Sequence, residues 1–214
     1  MPKEFNSLAD QAYELLEEKI ISLQLKPGRV YSEAELSELI ELGRTPMREA
    51  LLRLAKERLV EMIPRRGVLI CDIDLKQHIG LLETRRALDS LIVMRAARRV
   101  SPQQKNRLME CSEEMLRAAE DRDVAAFRRV DDEVDRLLGA ASKSVFAVDA
   151  VKHLYAHCKR FWSFYHDHVD LAHSASQHSD LLLAVAGGDE EGARNAVVDI
   201  IDGQIDFTRQ ALDL

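Results

Sequence analysis

Between Gly43 and Val60 the chain reads GRTPMREALLRLAKERLV, and four residues later PRRG closes a second basic cluster. Arginine carries a planar, always-charged fork that matches phosphate oxygens and the O6/N7 edge of guanine. Over Gly43–Gly67 seven cations (Arg44, Arg48, Arg53, Lys56, Arg58, Arg65, Arg66) stand against three carboxylates (Glu49, Glu57, Glu61), a net +4. The whole chain is −7, so the rest carries −11. A phosphate senses charge within about 10 Å. A basic window on an acidic chain therefore suits one local anionic contact, not a surface coated for indiscriminate nucleic-acid binding. Arg44, Thr45 and Arg48 fall at the start of one predicted helix, where free backbone N–H groups and a partial positive charge favour phosphate. Arg65, Arg66 and Gly67 would form a basic turn, with glycine permitting close approach. Arg53 and Lys56, further along the helix, read as solvated.

These residues need elements to position them. Apolar positions Leu8, Ala12, Tyr13, Leu15, Leu16, Ile20 and Ile21 predict a helix over about 7–23, ended by Lys26-Pro27-Gly28. Ser32 and Glu35 form a capping-box signature for a helix through Ile40. Thr45 as N-cap and Pro46 as first helical residue predict the next helix, to about Lys56, burying Met47, Ala50, Leu51 and Leu54. RLVEMI and GVLICDI, joined by PRRG, predict a β-hairpin with a basic tip, Gly67 relaxing the turn. Three short helices and a hairpin make a winged helix-turn-helix. From Asp74 onward the pattern is helical: a long first segment ending before Ser101-Pro102, then about 102–121, 123–139, 143–165, 175–187 and 189–212. The expected fold is all-α with a small β wing. A DNA-binding domain over 1–73 precedes an antiparallel helical bundle over 74–214.

Bulk properties bound the function. At 214 residues with 46% hydrophobic and 31% charged residues, the chain is an ordinary globular one. Apolar runs such as SLIVM and LLLAVA are too short to span a bilayer, so no membrane partner is expected. MPKEFNSLADQ lacks a signal-peptide layout, which makes a cytoplasmic location the expectation. Cys71, Cys111 and Cys158 contain no CxxC pair and predict neither disulfides nor a zinc finger.

The stretch LKPGRVYSEAELSELIELGRTPMREALLRLAKERLVEMIPRRGVLI resembles the DNA-binding domain of the GntR family of bacterial transcriptional regulators. The matched pieces are LKPG, SEAELSEL, RTPMREALLRL and the wing PRRG. The helical remainder is similar to the FCD-type ligand-binding domain of the FadR subfamily, through ETRRALDSLIVMRAARR, DVAAFRRVDDEVDRLLGAAS and HSDLLLAVAGGDEEGARNAV. This resemblance implies a homodimer on a palindromic duplex-DNA operator, usually a repressor, tuned by a small organic acid. Four positions depart from the family pattern. Glu41 and Arg58 stand where glycine is usual, Gly43 where Ser or Thr usually precedes RTP, and Ala34 where some members have Arg.

Many FadR-type domains hold a divalent metal with one Asp and three His. The resemblance places Asp131 and His178 at two of these positions, but Asp135 at a second ligand and Ile200 at the last. Asp131, Asp135 and His178 remain a candidate set for a harder ion. Without metal, Arg85 is a candidate for an acid's carboxylate. His153 and His157 share a helix face by their four-residue spacing, within a run that also holds His166, His168 and His173.

Two other readings stand beside the regulator. His166-Asp167 matches the dipeptide of metal-dependent HD-type phosphohydrolases, although the rest of that ligand set is not placed; the chain is expected not to be an enzyme. A constitutive DNA-binding dimer without an effector is the other.

Overall fold

The computed structural model describes residues 7–165, 167 and 169–211. In chain order the elements are α1 (Leu8–Ile21), β1 (Val30–Tyr31), α2 (Glu33–Leu39), α3 (Arg44–Lys56), β2 (Val60–Ile63) and β3 (Gly67–Ile70). Then follow α4 (Leu75–Arg99), α5 (Pro102–Glu120), α6 (Val124–Ser142), α7 (Val145–Tyr165), α8 (Leu171–Gly187) and α9 (Glu190–Ala211). By packing, the described residues up to Asp74 and those of α7 from Tyr155 make one compact unit. Leu75–Leu154 and the described residues from Asp167 make the second.

In the N-terminal unit, local chemistry starts each helix. Ser7 Oγ accepts from Asp10 N at the head of α1. At α2, Glu35 N donates to Ser32 Oγ at 3.1 Å and Ser32 N donates to Glu35 Oε2 at 2.7 Å, completing the predicted capping box. The hydrogen bond from the Ser32 backbone holds the Glu35 carboxyl below its usual range. Ala12, Tyr13, Leu16 and Ile20 of α1 pack with Leu36 and with Met47, Ala50, Leu51 and Leu54 of α3 over Leu59, Val68 and Ile70. Leu8, placed on the buried face by periodicity, is 61% exposed because it lies in the first turn, ahead of the packed stretch.

Three details differ from the sequence reading. Helix α3 begins at Arg44 with Gly43 as N-cap and no side-chain cap, so Thr45 is not the cap. Pro46 is accommodated as the third helical residue, where a backbone N–H would lack an intrahelical partner in any case. The wing has a third strand: β3 pairs antiparallel with β2 (Val60 opposite Ile70, Ile63 opposite Gly67) and with the two-residue β1 (Tyr31 opposite Val68). At the hairpin tip Arg65 (φ 63°) has a positive φ as well as Gly67 (φ 119°). At Gly67 a Cβ would also lie 2.4 Å from Tyr31 O, so both its backbone conformation and β1's approach call for glycine. Glu41 (φ 54°) and Arg58 (φ 60°) are left-handed as well, which explains why glycine suits both positions.

The C-terminal unit is a helical bundle in which α4 packs on α6, α8 and α9, α5 packs on α6 and α8, and α8 packs on α9. Ser101 and Gln104 form the predicted capping box, with Pro102 opening α5. Helix α6 runs through Gly139, predicted as a break, and ends at Ser142 with left-handed Lys143. Gly139 instead makes room for Val148. Arg95 Nε and Arg99 Nη1 donate to Ser142 O at 3.3 and 2.9 Å, satisfying the end of α6 with cations favoured at a helix C-terminus. Arg107 of α5 joins Glu110 and Glu114 to Glu133 of α6, and these bonds hold the Glu133 carboxyl below its usual range. Across α5 and α8 the buried Ser112 Oγ donates to Ser179 Oγ at 2.8 Å. No helix among the described residues is long and apolar enough to cross a membrane.

Candidate nucleic-acid interface and effector site

Burial of Met47, Ala50, Leu51 and Leu54 turns the opposite face of α3 to solvent. Arg44, Thr45 and Arg48 are all exposed on it. Because Gly43 supplies no capping side chain, the first N–H groups of α3 are left for an outside acceptor. Pro64, Arg65 and Arg66 are exposed at the hairpin tip, where Arg66 N donates to Ile63 O at 3.0 Å. The N-terminal unit thus carries two basic features, a helix start and a wing.

Two partners were not foreseen. Arg48 Nε lies 3.6 Å from Glu33 Oε1 at the head of α2. An acidic residue in the first turn of a neighbouring helix was the available signal. Arg53, read as solvated, is structural: Nη1 donates to Asp10 Oδ1 at 2.6 Å, and the guanidinium stacks 4.1 Å from the Tyr13 ring centroid. Tyr13 Oη in turn lies 2.6 Å from both Glu17 Oε1 and Glu57 Oε2, and burial raises its phenol well above the usual range.

In the C-terminal unit the fold brings Asp131 and His178 together, His178 Nε2 lying 3.5 Å from Asp131 Oδ1. His178 Nδ1 donates to Ser174 O at 2.7 Å, and Phe127 meets the ring edge-on at 5.7 Å. Asp135 lies one turn beyond Asp131, and Ile200 is buried. The expected Asp131, Asp135 and His178 set does not fit a metal. Among the described residues no group of three or more His, Cys, Asp or Glu is arranged to hold one. One physical reason is that Ile200, at the last of the family's ligand positions, offers no donor. Arg85 is largely buried and pairs with Asp89 of the same helix at 2.9 Å; its Nη1 is 3.4 Å from Gln204 Oε1. A groove of about 430 Å³ beside the α5–α6 turn, lined by Glu114, Arg117, Asp121, Asp123, Arg129 and Glu133, contains none of the predicted effector residues.

Of the other histidines, His157 Nε2 donates to Glu57 O at 2.7 Å, so it is engaged in the N-terminal unit. His166 and His168 lie outside the described residues, and with His166 goes the His166-Asp167 motif.

With these features in place, the comparisons identify the class. Residues 8–70 match the model of bacterial regulatory proteins of the gntR family, and residues 80–203 match the FCD domain. The chain belongs to the GntR family of transcriptional regulators, in the group whose helical C-terminal domain is FCD. It is similar to the HTH-type transcriptional repressor RspR of Escherichia coli K12, 26% identical over 94% of this chain and 88% of that protein. It is 24% identical to the HTH-type transcriptional regulator McbR of the same organism, over 85% of this chain and 83% of that one. In fold it is similar to the solved E. coli McbR/YncC, with TM-score 0.86, 22% identity and coverage of 97% and 100%. A GntR regulator from Rhodococcus sp. RHA1 gives TM-score 0.73 at 17% identity, covering 95% and 98%. The matched N-terminal family and the relatives are named as regulators of transcription.

Proposed function

We propose that this regulator is a homodimeric repressor that binds a palindromic operator through the start of α3 and the wing. The observation that carries the reading is the exposed Arg44, Thr45 and Arg48 at an uncapped helix start, in a unit whose hairpin tip exposes Arg65 and Arg66. Arg44 and Arg48 serve as readers of guanine or phosphate, Thr45 meets phosphate or a thymine methyl, and Arg65, Arg66 and Gly67 follow the backbone or minor groove. Repression is supported by the relative RspR, whose name gives it as a repressor. Residues 1–73 read DNA in the cytoplasm, and residues 74–214 dimerise and bind an effector.

A small organic acid is the effector class this reading favours. Arg85 offers a guanidinium for which an incoming carboxylate would compete with Asp89. Selection from random duplex DNA tests the first part: a palindrome with half-sites about one helical turn apart is expected. Loss of enrichment over scrambled duplex would overturn it. Titration of a panel of small organic acids against the selected operator tests the second, with an affinity change of about 5- to 150-fold expected for a true effector. The closed Asp131–His178 pair and apolar Ile200 favour one other reading, a constitutive DNA-binding dimer, for which no acid shifts affinity.

A further inference from the structure

The N-terminal unit is not built from the N-terminal sequence alone. Ala156 of α7 is buried among Ala12, Leu16, Leu36, Met47 and the other core residues of that unit. One turn further, Arg160 is the largest fully buried side chain among the described residues, 1% exposed. Its Nη2 donates to Cys71 O, immediately after β3. Its Nε is buried without a hydrogen-bond partner. A guanidinium is expensive to bury, and burial does push its proton affinity down. An apolar side chain of similar volume would fill the same space without that cost. Retention of a charged group at this place therefore calls for a role other than filling a core.

The second contact points to the role. His157 Nε2 donates to Glu57 O at 2.7 Å, and Glu57 is the C-cap of α3. A carbonyl accepts only, so the proton sits on Nε2. The donor stands at the negative end of the helix dipole, where it satisfies one of the carbonyls that α3 leaves unpaired. The Glu57 carboxylate is held from the other side by Tyr13 Oη at 2.6 Å. So α7 grips the unit at two backbone points: the end of the recognition helix and the exit of the wing strand. These are the far ends of the two elements whose opposite ends carry Arg44, Thr45, Arg48 and Arg65, Arg66.

We propose that His157 and Arg160 are positioning residues for DNA reading, setting the relative placement of α3 and the wing from one helix. The inference rests on the DNA-reading role given above. Helix α7 is continuous from Val145 to Tyr165, and its residues before Tyr155 belong to the C-terminal unit. The helix that holds both grip points is therefore shared by sequence with the C-terminal unit. Specific recognition needs the helix start and the wing in register. Non-specific phosphate attraction needs only their charge.

The test uses the full chain. His157→Leu removes the donor, His157→Gln keeps one near the Nε2 position, and Arg160→Met replaces the buried charge with an apolar side chain of similar length. All three are compared with wild type by thermal unfolding, by amide hydrogen exchange and by binding to the selected operator and to a scrambled duplex. For His157→Leu and Arg160→Met the operator affinity is expected to fall at least tenfold while affinity for the scrambled duplex stays within twofold. His157→Gln restores most of the difference. Operator binding within threefold of wild type in both His157→Leu and Arg160→Met overturns the proposal, as does an equal loss on both duplexes. Exchange separates this from the fate of the DNA reading itself. Even with no selectable operator, His157→Leu must raise exchange at the Arg58 and Leu59 amides, which close on Ala55 O and Leu54 O after α3, and unchanged exchange there overturns the grip on its own. If Arg160→Met unfolds the unit, His157→Leu and His157→Gln decide the matter alone.

Discussion

Substituting Gly67 by alanine strikes the point where the wing is assembled. The residue has φ 119°, a conformation that side chains with a Cβ rarely adopt, and the new methyl would sit 2.4 Å from Tyr31 O and 3.2 Å from Tyr31 C. Strain of this kind costs about 1–3 kcal/mol. Backbone cannot step aside as a flexible side chain would, so β1 must move away from β3. That movement loosens the Gly28 N to Ile70 O and Ile70 N to Arg29 O hydrogen bonds, at 2.9 and 3.0 Å. Their loss adds about 0.5–1.5 kcal/mol each. Strain and lost bonds together give about 2–6 kcal/mol. Amide exchange at Val68 and Ile70 should then accelerate by roughly 30-fold to about 20,000-fold, each 1.4 kcal/mol being tenfold. Operator affinity should fall with it, since Arg65 and Arg66 lose their fixed place. Gly80→Ala is the control: nothing lies within 4 Å of the added Cβ in the second turn of α4, and a gain of about 0.5–1 kcal/mol is expected. Exchange of Val68 and Ile70 within threefold of wild type in Gly67→Ala would refute the steric argument.

Four further outcomes follow from named contacts. Glu41→Gly relieves a left-handed residue and should stabilise the N-terminal unit by about 0.5–1 kcal/mol after the added freedom of the unfolded chain, read by chemical denaturation. Arg53→Ala loses a half-exposed ion pair to Asp10 and the Tyr13 stack, and should cost about 1 kcal/mol without altering salt dependence of DNA binding. Glu133 is held below the usual carboxylate range by Arg107. Its contribution is thus complete above about pH 4.3, the unfolded value, and is lost as pH falls through the lower native value. Glu133→Gln should flatten the acid limb of a stability–pH profile. Burial pushes the Cys111 thiol up to about 11, so at pH 8 it should resist alkylation in the native chain and react on unfolding, as mass spectrometry would show.

What was legible in the sequence was local. Ser32 with Glu35, and Ser101 with Gln104, could be read because cap and partner lie three residues apart. The buried set of α3 followed from its period, and the basic window from counting charge. The start of α3 was misplaced because Thr-Pro is a good cap signal, while an N-cap glycine leaves none. Strand β1 is two residues long and exists only by pairing with β3, so periodicity could not find it. Arg53 was read as solvated because its partners lie 40 or more residues away on α1. His157 and Arg160 act across still longer separations, which no spacing rule connects. In the C-terminal unit the family resemblance put Asp131 and His178 in one candidate set and they lie 3.5 Å apart, yet the carbonyl that holds His178 Nδ1 appears only in the folded helix.

The central claim is that exposed cations at the start of α3 read DNA. The direct measurement is the binding of wild type, Arg44→Ala and Arg48→Ala to the selected operator and to a scrambled duplex across a salt series. A phosphate contact contributes a slope of about −0.9 in log K against log salt. A guanine contact contributes about 1–3 kcal/mol of discrimination instead. The account predicts that each variant either lowers the slope by about one contact or loses tenfold or more of its preference for the operator. Wild-type binding with no operator preference, or both variants matching wild type in slope and preference, would contradict it.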